Sequence, residues 1–343
     1  MGERRVMAGP NSERRRLAGV GAVVIGRNEG ARLEACLRSL GPCEAVVYVD
    51  SGSTDDSIST SRGLGAAIVE LDSDIPFTAA RARNAGFERL SEIMPQLRFV
   101  QFVDGDCEVI SGWLEAAVTA LDAEPQVAAV CGRRLERFPE ASIYNAMCHR
   151  EWNTPIGDAD ACGGDALMRA DAFRNVGRFD ARQIAHEEPE LCGRLRRAGF
   201  RIRRIDVDMT HHDAAISRIG QFLKRNRRAG FGLLQCWALT GQAMDNQGKA
   251  ILRRSILWGA LLPMAIAGAT VLFGWTALIL LGIYPLQVAR LAIKDRLKYG
   301  GNLVRRLRIY ALLVLSKFAE AVGAAEFLVK RLLGRRMGAI FYK

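Results

Sequence analysis

Phe99-Val-Gln-Phe-Val-Asp104-Gly-Asp106-Cys107 is an apolar run that ends in two aspartates one residue apart. A buried strand with Asp-x-Asp at its C-terminal end offers carboxylate oxygens that a hard divalent cation and a diphosphate can share. Ligands of open α/β sheets gather at that edge, and Mg²⁺ is commonly held by one or two carboxylates plus phosphate oxygens. The same letters can also be a plain Asp-Gly turn that ends a strand. The neighbouring segments separate the two readings.

Upstream, residues 20–25 are valine-rich and bounded by glycine, the pattern of a buried strand. Residues 31–40 carry helical spacing, and a second strand over 45–49 ends at Asp50. A helix should follow, with Thr54 or Asp55 as its N-cap. Residues 66–71 read as a third strand and 79–90 as a helix. Downstream come a helix over 113–121 and a strand over 127–131, whereas 133–162 shows no clear period. Helices are expected over 171–176 and 190–198, then a half-exposed strand over 200–205. Strands alternating with helices predict an α/β domain with a parallel sheet and βαβ crossovers.

The chain of 343 residues is long enough for one large domain with an appendage. Its charge of +11 is unevenly spread: residues 251–343 hold 15 Lys and Arg against 3 acids, and the remainder 33 against 34. The basic quarter is also the most apolar, which indicates anionic membrane lipid as a partner and no nucleic acid. The eight cysteines form no C-x-x-C pair and read as reduced, buried residues of a cytosolic domain. Residues 1–18 are dense in charge and lack an apolar stretch, so a disordered basic head is expected and no signal peptide.

Taken in order, these segments resemble a family 2 glycosyltransferase of the GT-A fold, over roughly residues 20–232. Val24-Ile-Gly-Arg-Asn28-Glu29 is similar to that family's first strand and Asn-Glu loop. Val49-Asp50-Ser-Gly-Ser-Thr-Asp55 is similar to its nucleotide-binding segment, with Ser51 in place of a second acid. Val103-Asp104-Gly-Asp106 resembles its metal motif. The resemblance implies that Asn28, Glu29 and Asp50 serve the nucleotide, with Asp50 on the base. It also implies Asp104 on the ribose or metal, and Asp106 as a ligand of Mg²⁺ or Mn²⁺. Arg83, in an Arg-Asn pair at a helix start, would lie near the phosphates. Asp50 could otherwise be a helix N-cap.

His186-Glu187-Glu188-Pro189-Glu190-Leu191 places three acids in four residues before an amphipathic run. A helix dipole favours acids in its first turn, but one or two suffice. The segment resembles the family's Gly-Glu-Asp motif, with His186 replacing the glycine and Glu188 the aspartate. An inverting transferase needs a carboxylate to take the acceptor hydroxyl's proton. Glu188 is the expected base, with Glu187 the alternative. Gly163, Gly164 and Asp165 resemble an acceptor-side segment, where small residues let a sugar approach the backbone.

Adjacent His211 and His212 point in different directions in extended chain, so only one can reach a given metal. The resemblance selects His212. Lys224, Arg225 and Arg228 form a basic helix that could steady the departing diphosphate or meet anionic headgroups. Asn226 stands where processive members carry Trp, which favours transfer of a single sugar.

Residues 255–289 contain no charge, and basic residues flank both ends. A span takes about 20 residues, and Lys/Arg flanks lie on the cytoplasmic side. A hairpin turning near Gly274 follows, with one tilted span as the alternative. Residues 309–333 read as an interfacial helix, with Arg305, Arg306, Arg308, Arg335 and Arg336 meeting lipid. The expected organisation is a GT-A domain over 19–250 and a membrane module over 251–343. The expected activity is transfer of one sugar from a UDP- or GDP-linked donor to a glycan or lipid-linked hydroxyl, at a bacterial inner membrane. A metal-dependent nucleotidyltransferase and a catalytically inactive membrane scaffold are the alternatives.

Overall fold

The computed structural model describes residues 16–241, 244, 246–294 and 302–334. Most of the expected head, together with Arg296, Lys298, Arg335, Arg336 and Lys343, lies outside the described residues. Leu17 already donates its N–H to the Pro42 carbonyl at 2.8 Å, so the ordered domain includes the end of the expected head.

Three nearly continuous apolar strands form the centre: β1 (Val20–Gly26), β2 (Ala45–Asp50) and β4 (Phe99–Asp104), with β3 (Ala67–Glu70) beyond β2. They are apolar on both faces because helices cover both sides of such a sheet. The helices of this half are α1 (Ala31–Ser39), α2 (Ser57–Gly63) and α3 (Ala79–Ile93). All four strands are parallel, and the register pairs Gly26 with Asp50 and Ile25 with Asp104. Both strand-end acids therefore flank the end of β1 at one edge of the sheet.

Beyond β4 the parallel expectation gives way to a mixed sheet. The remaining strands are β5 (Cys107–Val109), β6 (Val127–Glu136), β7 (Gly157–Asp158), β8 (Ala166–Arg169) and β9 (Arg201–His212). The order is β3-β2-β1-β4-β8-β6-β9-β5, with β8 antiparallel to both neighbours and β7 paired to β9. The later helices are α4 (Trp113–Ala123), α5 (Ile143–Glu151), α6 (Ala170–Asn175), α7 (Glu187–Arg197) and α8 (Ile219–Thr240). β9 continues well past the expected strand and pairs His212 with Cys107 on one side and Glu136 on the other. The expected cap of α2 also differs. Asp56 sits at its N-cap without a side-chain hydrogen bond, while Asp55 accepts from the Ser57 N–H at 3.1 Å.

The C-terminal part starts with α9 (Asn246–Ile256), a π segment (Leu257–Leu261) and α10 (Leu262–Phe273). A 3-10 segment (Trp275–Gly282), α11 (Ile283–Lys294) and α12 (Leu303–Leu332) follow. Asn246–Phe273 and Trp275–Lys294 are helices long and apolar enough to cross a membrane, and their apolar windows are only 6% buried. Gly274 breaks them at φ +76°. The Tyr284 hydroxyl then donates to the Trp258 carbonyl at 2.9 Å, which folds the second helix back on the first.

The expected interfacial helix, α12, packs lengthwise on α8. Phe327 meets Phe231 edge-on at 5.4 Å, and Ile309, Tyr310, Ala324 and Phe327 are buried. Small residues make the close crossing possible. A Cβ on Gly230 would overlap the Glu320 carbonyl, and one on Gly323 the Arg227 carbonyl. Gly230→Val should cost about 1–3 kcal/mol by overpacking, read as a lower unfolding midpoint of the full chain in detergent. An unchanged midpoint would mean that the two helices are not in contact.

Candidate active site

The loops at the C-terminal edge of β1 and β2 are tied together by side chains. Asn28 Oδ1 accepts from the Thr54 N–H at 2.7 Å, and the Asn28 N–H donates to Ser53 Oγ at 3.0 Å. Asp50 is 2% exposed. Its Oδ1 accepts from the Tyr48 hydroxyl at 2.9 Å and its Oδ2 from the Gly52 and Ser53 N–H groups at 2.8 Å each. Asp50 thus shapes the loop after β2 and does not cap α2. Glu29 pairs with Arg32 at 2.7 Å at the start of α1.

Arg83 is a buried hub on α3. The Thr78 hydroxyl caps that helix by accepting from the Arg81 N–H at 3.1 Å. One turn further in, Arg83 Nη2 donates to Asp104 Oδ1 at 2.7 Å and Nη1 to Glu187 Oε1 at 2.6 Å. Burial works against its charge, but Asp104 and Glu187 outweigh this and raise its proton affinity. The guanidinium joins the first acid of the Asp-x-Asp turn to the acidic helix α7. Gly164 lies over this junction, where a Cβ would stand 3.0 Å from Arg83 Nη2 and 3.4 Å from Asp104 Oδ2.

Asp106 and His212 face each other, with His212 Nε2 3.5 Å from Asp106 Oδ2. Trp152 packs its edge on the imidazole at 4.7 Å, and Glu136 Oε2 lies 3.9 Å from Nδ1. The buried Nδ1 has no hydrogen-bond partner. Donor atoms of Asp106, Cys107 and His212 all lie within 4.8 Å of one another. The Asp106 carboxylate facing His212 Nε2 is a donor set that accepts a divalent cation, while the unsatisfied Nδ1 points to Glu136. His211 pairs with Glu108 in the strand ladder, on the residue before the one that meets Asp106.

α7 begins at Glu187, three residues before the expected start, because His186 occupies its N-cap in the left-handed conformation at φ 62°. That conformation is costly for a residue with a Cβ and common for glycine, which accounts for glycine in the motif that His186 interrupts. Glu187 faces Arg83. Glu188 faces the other way: its Oε1 accepts from the Cys162 N–H and, at 3.1 Å, from the Cys192 thiol. Burial raises the Glu188 carboxyl above the usual glutamate range, although those donors pull it down.

Residues 22–177 match the family model described as glycosyl transferase family 2. This stretch of the chain is similar to family 2 glycosyltransferases. Among curated proteins, glycosyltransferase AglE of Haloferax volcanii is 25% identical over 62% of this chain and 72% of its own length. Succinoglycan biosynthesis protein ExoA of Rhizobium meliloti is 24% identical over 75% of this chain and 79% of its own length. A mannosyltransferase from Pyrobaculum calidifontis, solved with GDP-Man and Mn²⁺, shares the fold with a TM-score of 0.59. It is 19% identical, and the match covers 89% of this chain and 86% of that one. The family match sets aside the nucleotidyltransferase alternative.

The structure brings Arg83, Asp104 and Glu187 together, and separately Asp106 with His212. Asp165 departs from its expected acceptor-side place. It is fully buried, accepting from the Thr210 hydroxyl at 2.9 Å, pairing with Arg134 at 2.8 Å and meeting the Asp104 N–H at 3.3 Å. Its carboxylate braces the Asp-x-Asp turn from behind. Gly163, at φ +84°, remains open on the surface side. On α8, Lys224 is exposed, Arg225 pairs with Glu151 at 3.1 Å, and Arg228 donates to the Ile184 carbonyl at 3.3 Å. Sequence reasoning missed Glu136 and Trp152 beside His212, both in the stretch without a readable period.

Proposed function

We propose that this glycosyltransferase moves one sugar from a UDP- or GDP-linked donor to a hydroxyl of a glycan or lipid-linked acceptor, inverting the anomeric centre. The observation that carries this reading is the pairing of Asp106 with His212 on one side of Asp104 while Arg83 and the Glu187–Glu188 helix close the other. Asp104, Asp106 and His212 would hold Mg²⁺ or Mn²⁺, which supplies charge neutralisation for the leaving diphosphate. Asn28, Glu29 and the Asp50 loop receive the nucleotide. Glu187 keeps Arg83 aimed at Asp104, so the donor edge and the acidic helix stay in register.

Glu188 is the base. Its carboxylate takes the acceptor hydroxyl proton as the oxygen attacks the anomeric carbon, and the bond from that carbon to the diphosphate oxygen breaks. A burial-raised carboxyl suits a proton acceptor, because catalytic efficiency peaks when its proton affinity nears the working pH. Lys224, Arg225 and Arg228 lie on the neighbouring helix α8, suited to stabilising the departing nucleoside diphosphate. The likeness to ExoA, by name a succinoglycan biosynthesis protein, supports a place in envelope or extracellular glycan assembly.

The apolar hairpin supports attachment to a bacterial inner membrane. Arg253 and Arg254 end α9 and Lys294 ends α11, so both flanks belong with anionic lipid on the cytoplasmic side. A screen of nucleoside-diphosphate sugars with Mn²⁺ tests the activity. Release of nucleoside diphosphate from one donor, abolished by chelation, is expected. Release that is indifferent to chelator would contradict the metal role, and no release from any donor would favour an inactive scaffold.

A further inference from the structure

Around the proposed base Glu188 lies a second donor cluster, whose two thiols the transfer reaction does not use. Glu188 and Cys192 are four residues apart on α7, the spacing that stacks two side chains on one helix face. Cys162 approaches the same point from the loop before Gly163. Its Sγ is 3.6 Å from Cys192 Sγ, and Cys192 Sγ is 3.1 Å from Glu188 Oε1. The three donor atoms lie within 4.8 Å of one another, and all three residues are buried.

These separations match a soft-metal site. Two thiolates bound tetrahedrally to Zn²⁺ at about 2.3 Å lie about 3.8 Å apart, and a carboxylate oxygen at about 2.0–2.2 Å lies about 3.5 Å from each sulfur. The sulfur–sulfur distance of 3.6 Å and the Cys192–Glu188 distance of 3.1 Å each fall within about half an ångström of these values. The chemistry differs from that of Asp104 and Asp106, where oxygen donors suit hard cations; thiolates select Zn²⁺ and similar ions. Contact with Cys192 and burial push the Cys162 thiol well up. Cys131 adds a third thiol nearby, pushed up to about 12 by burial and then by Glu188 and Cys192.

We infer that Cys162, Cys192 and Glu188 form a thiophilic-metal site of Zn²⁺ type, separate from the donor-side cation, whose occupation withdraws the base. On binding, two S–H bonds break, two metal–sulfur bonds form and two protons leave to solvent, with no change of oxidation state. The Glu188 oxygen becomes a ligand and is lost to the acceptor. Transfer supported by Mn²⁺ then stops when Zn²⁺ is added. The inhibitory effect rests on Glu188 being the base; the metal site itself does not.

The test uses the full-length, reduced protein in detergent, titrated with Co²⁺ and then Zn²⁺. One equivalent of Co²⁺ should produce thiolate-to-cobalt charge-transfer absorption, which Zn²⁺ displaces. That absorption should persist in Asp106→Ala and disappear in Cys162→Ser and Cys192→Ser. In parallel, one equivalent of Zn²⁺ should lower Mn²⁺-supported turnover about 10²-fold or more, the scale of losing a general base. Each cysteine variant, compared with its own zinc-free rate, should escape that inhibition. Absence of the sulfur signal, or its survival in Cys162→Ser, would overturn the metal site. A normal sulfur signal with undiminished turnover would leave the site standing and remove Glu188 from the role of base.

Discussion

Glu188→Gln should lower turnover by about 10²–10⁴-fold and leave metal-dependent donor affinity near that of the parent. The amide keeps an oxygen to accept from the Cys162 N–H and the Cys192 thiol, so the fold around α7 has no reason to change. What it loses is the capacity to take a proton. Glu187→Gln should behave differently, because Glu187 is one of two carboxylates on Arg83. Weakening that pair should loosen Arg83 from Asp104 and show first as poorer donor binding. Near-normal turnover in Glu188→Gln, with turnover lost in Glu187→Gln, would transfer the proton to Glu187. The pH profile offers an internal check. Since burial raises the Glu188 carboxyl, the ionised base is lost on acidification at a higher pH than for a solvated glutamate. The acidic limb of kcat/KM should lie correspondingly high, and should vanish in Glu188→Gln.

Asp106→Ala should abolish Mn²⁺-dependent donor binding while the protein stays folded. Even outer-shell changes at metal sites cost about 10–100-fold in affinity, and Asp106 is placed to touch the ion itself. His212→Ala should weaken the same binding to a lesser degree, because Asp104 and Asp106 would remain. Calorimetric titration of a nucleoside-diphosphate sugar, with and without Mn²⁺, reads both. Unchanged Mn²⁺-dependent affinity in Asp106→Ala would refute the metal assignment.

The central strands and their acids were legible because short valine-rich runs ending in Asp50 and Asp104 have few other uses in an α/β chain. His212 was legible only through resemblance. Its strand runs past the expected end at 205 through Ile205-Asp206-Val207-Asp208-Met209, whose strict alternation already carried the strand period. The burial of Asp165 could not be read, because its partners Thr210 and Arg134 come from distant strands. The same holds for α12. Its charges at Lys317, Glu320 and Glu326 suggest a surface helix, yet Lys317 and Glu320 pair with each other at 2.7 Å and Glu326 pairs with Arg227 on α8 at 2.7 Å. Local charge therefore concealed a helix that docks on the catalytic domain through Gly230 and Gly323.

Single-step displacement with Glu188 as base can be examined in the product itself. Once a donor is known, proton NMR of the newly formed glycosidic linkage reports its anomeric configuration directly. An α-linked donor should yield a β-linked product, formed only while Mg²⁺ or Mn²⁺ is present. A retained α linkage, or the same product at the same rate in chelator, would contradict the mechanism built on Asp106, His212 and Glu188.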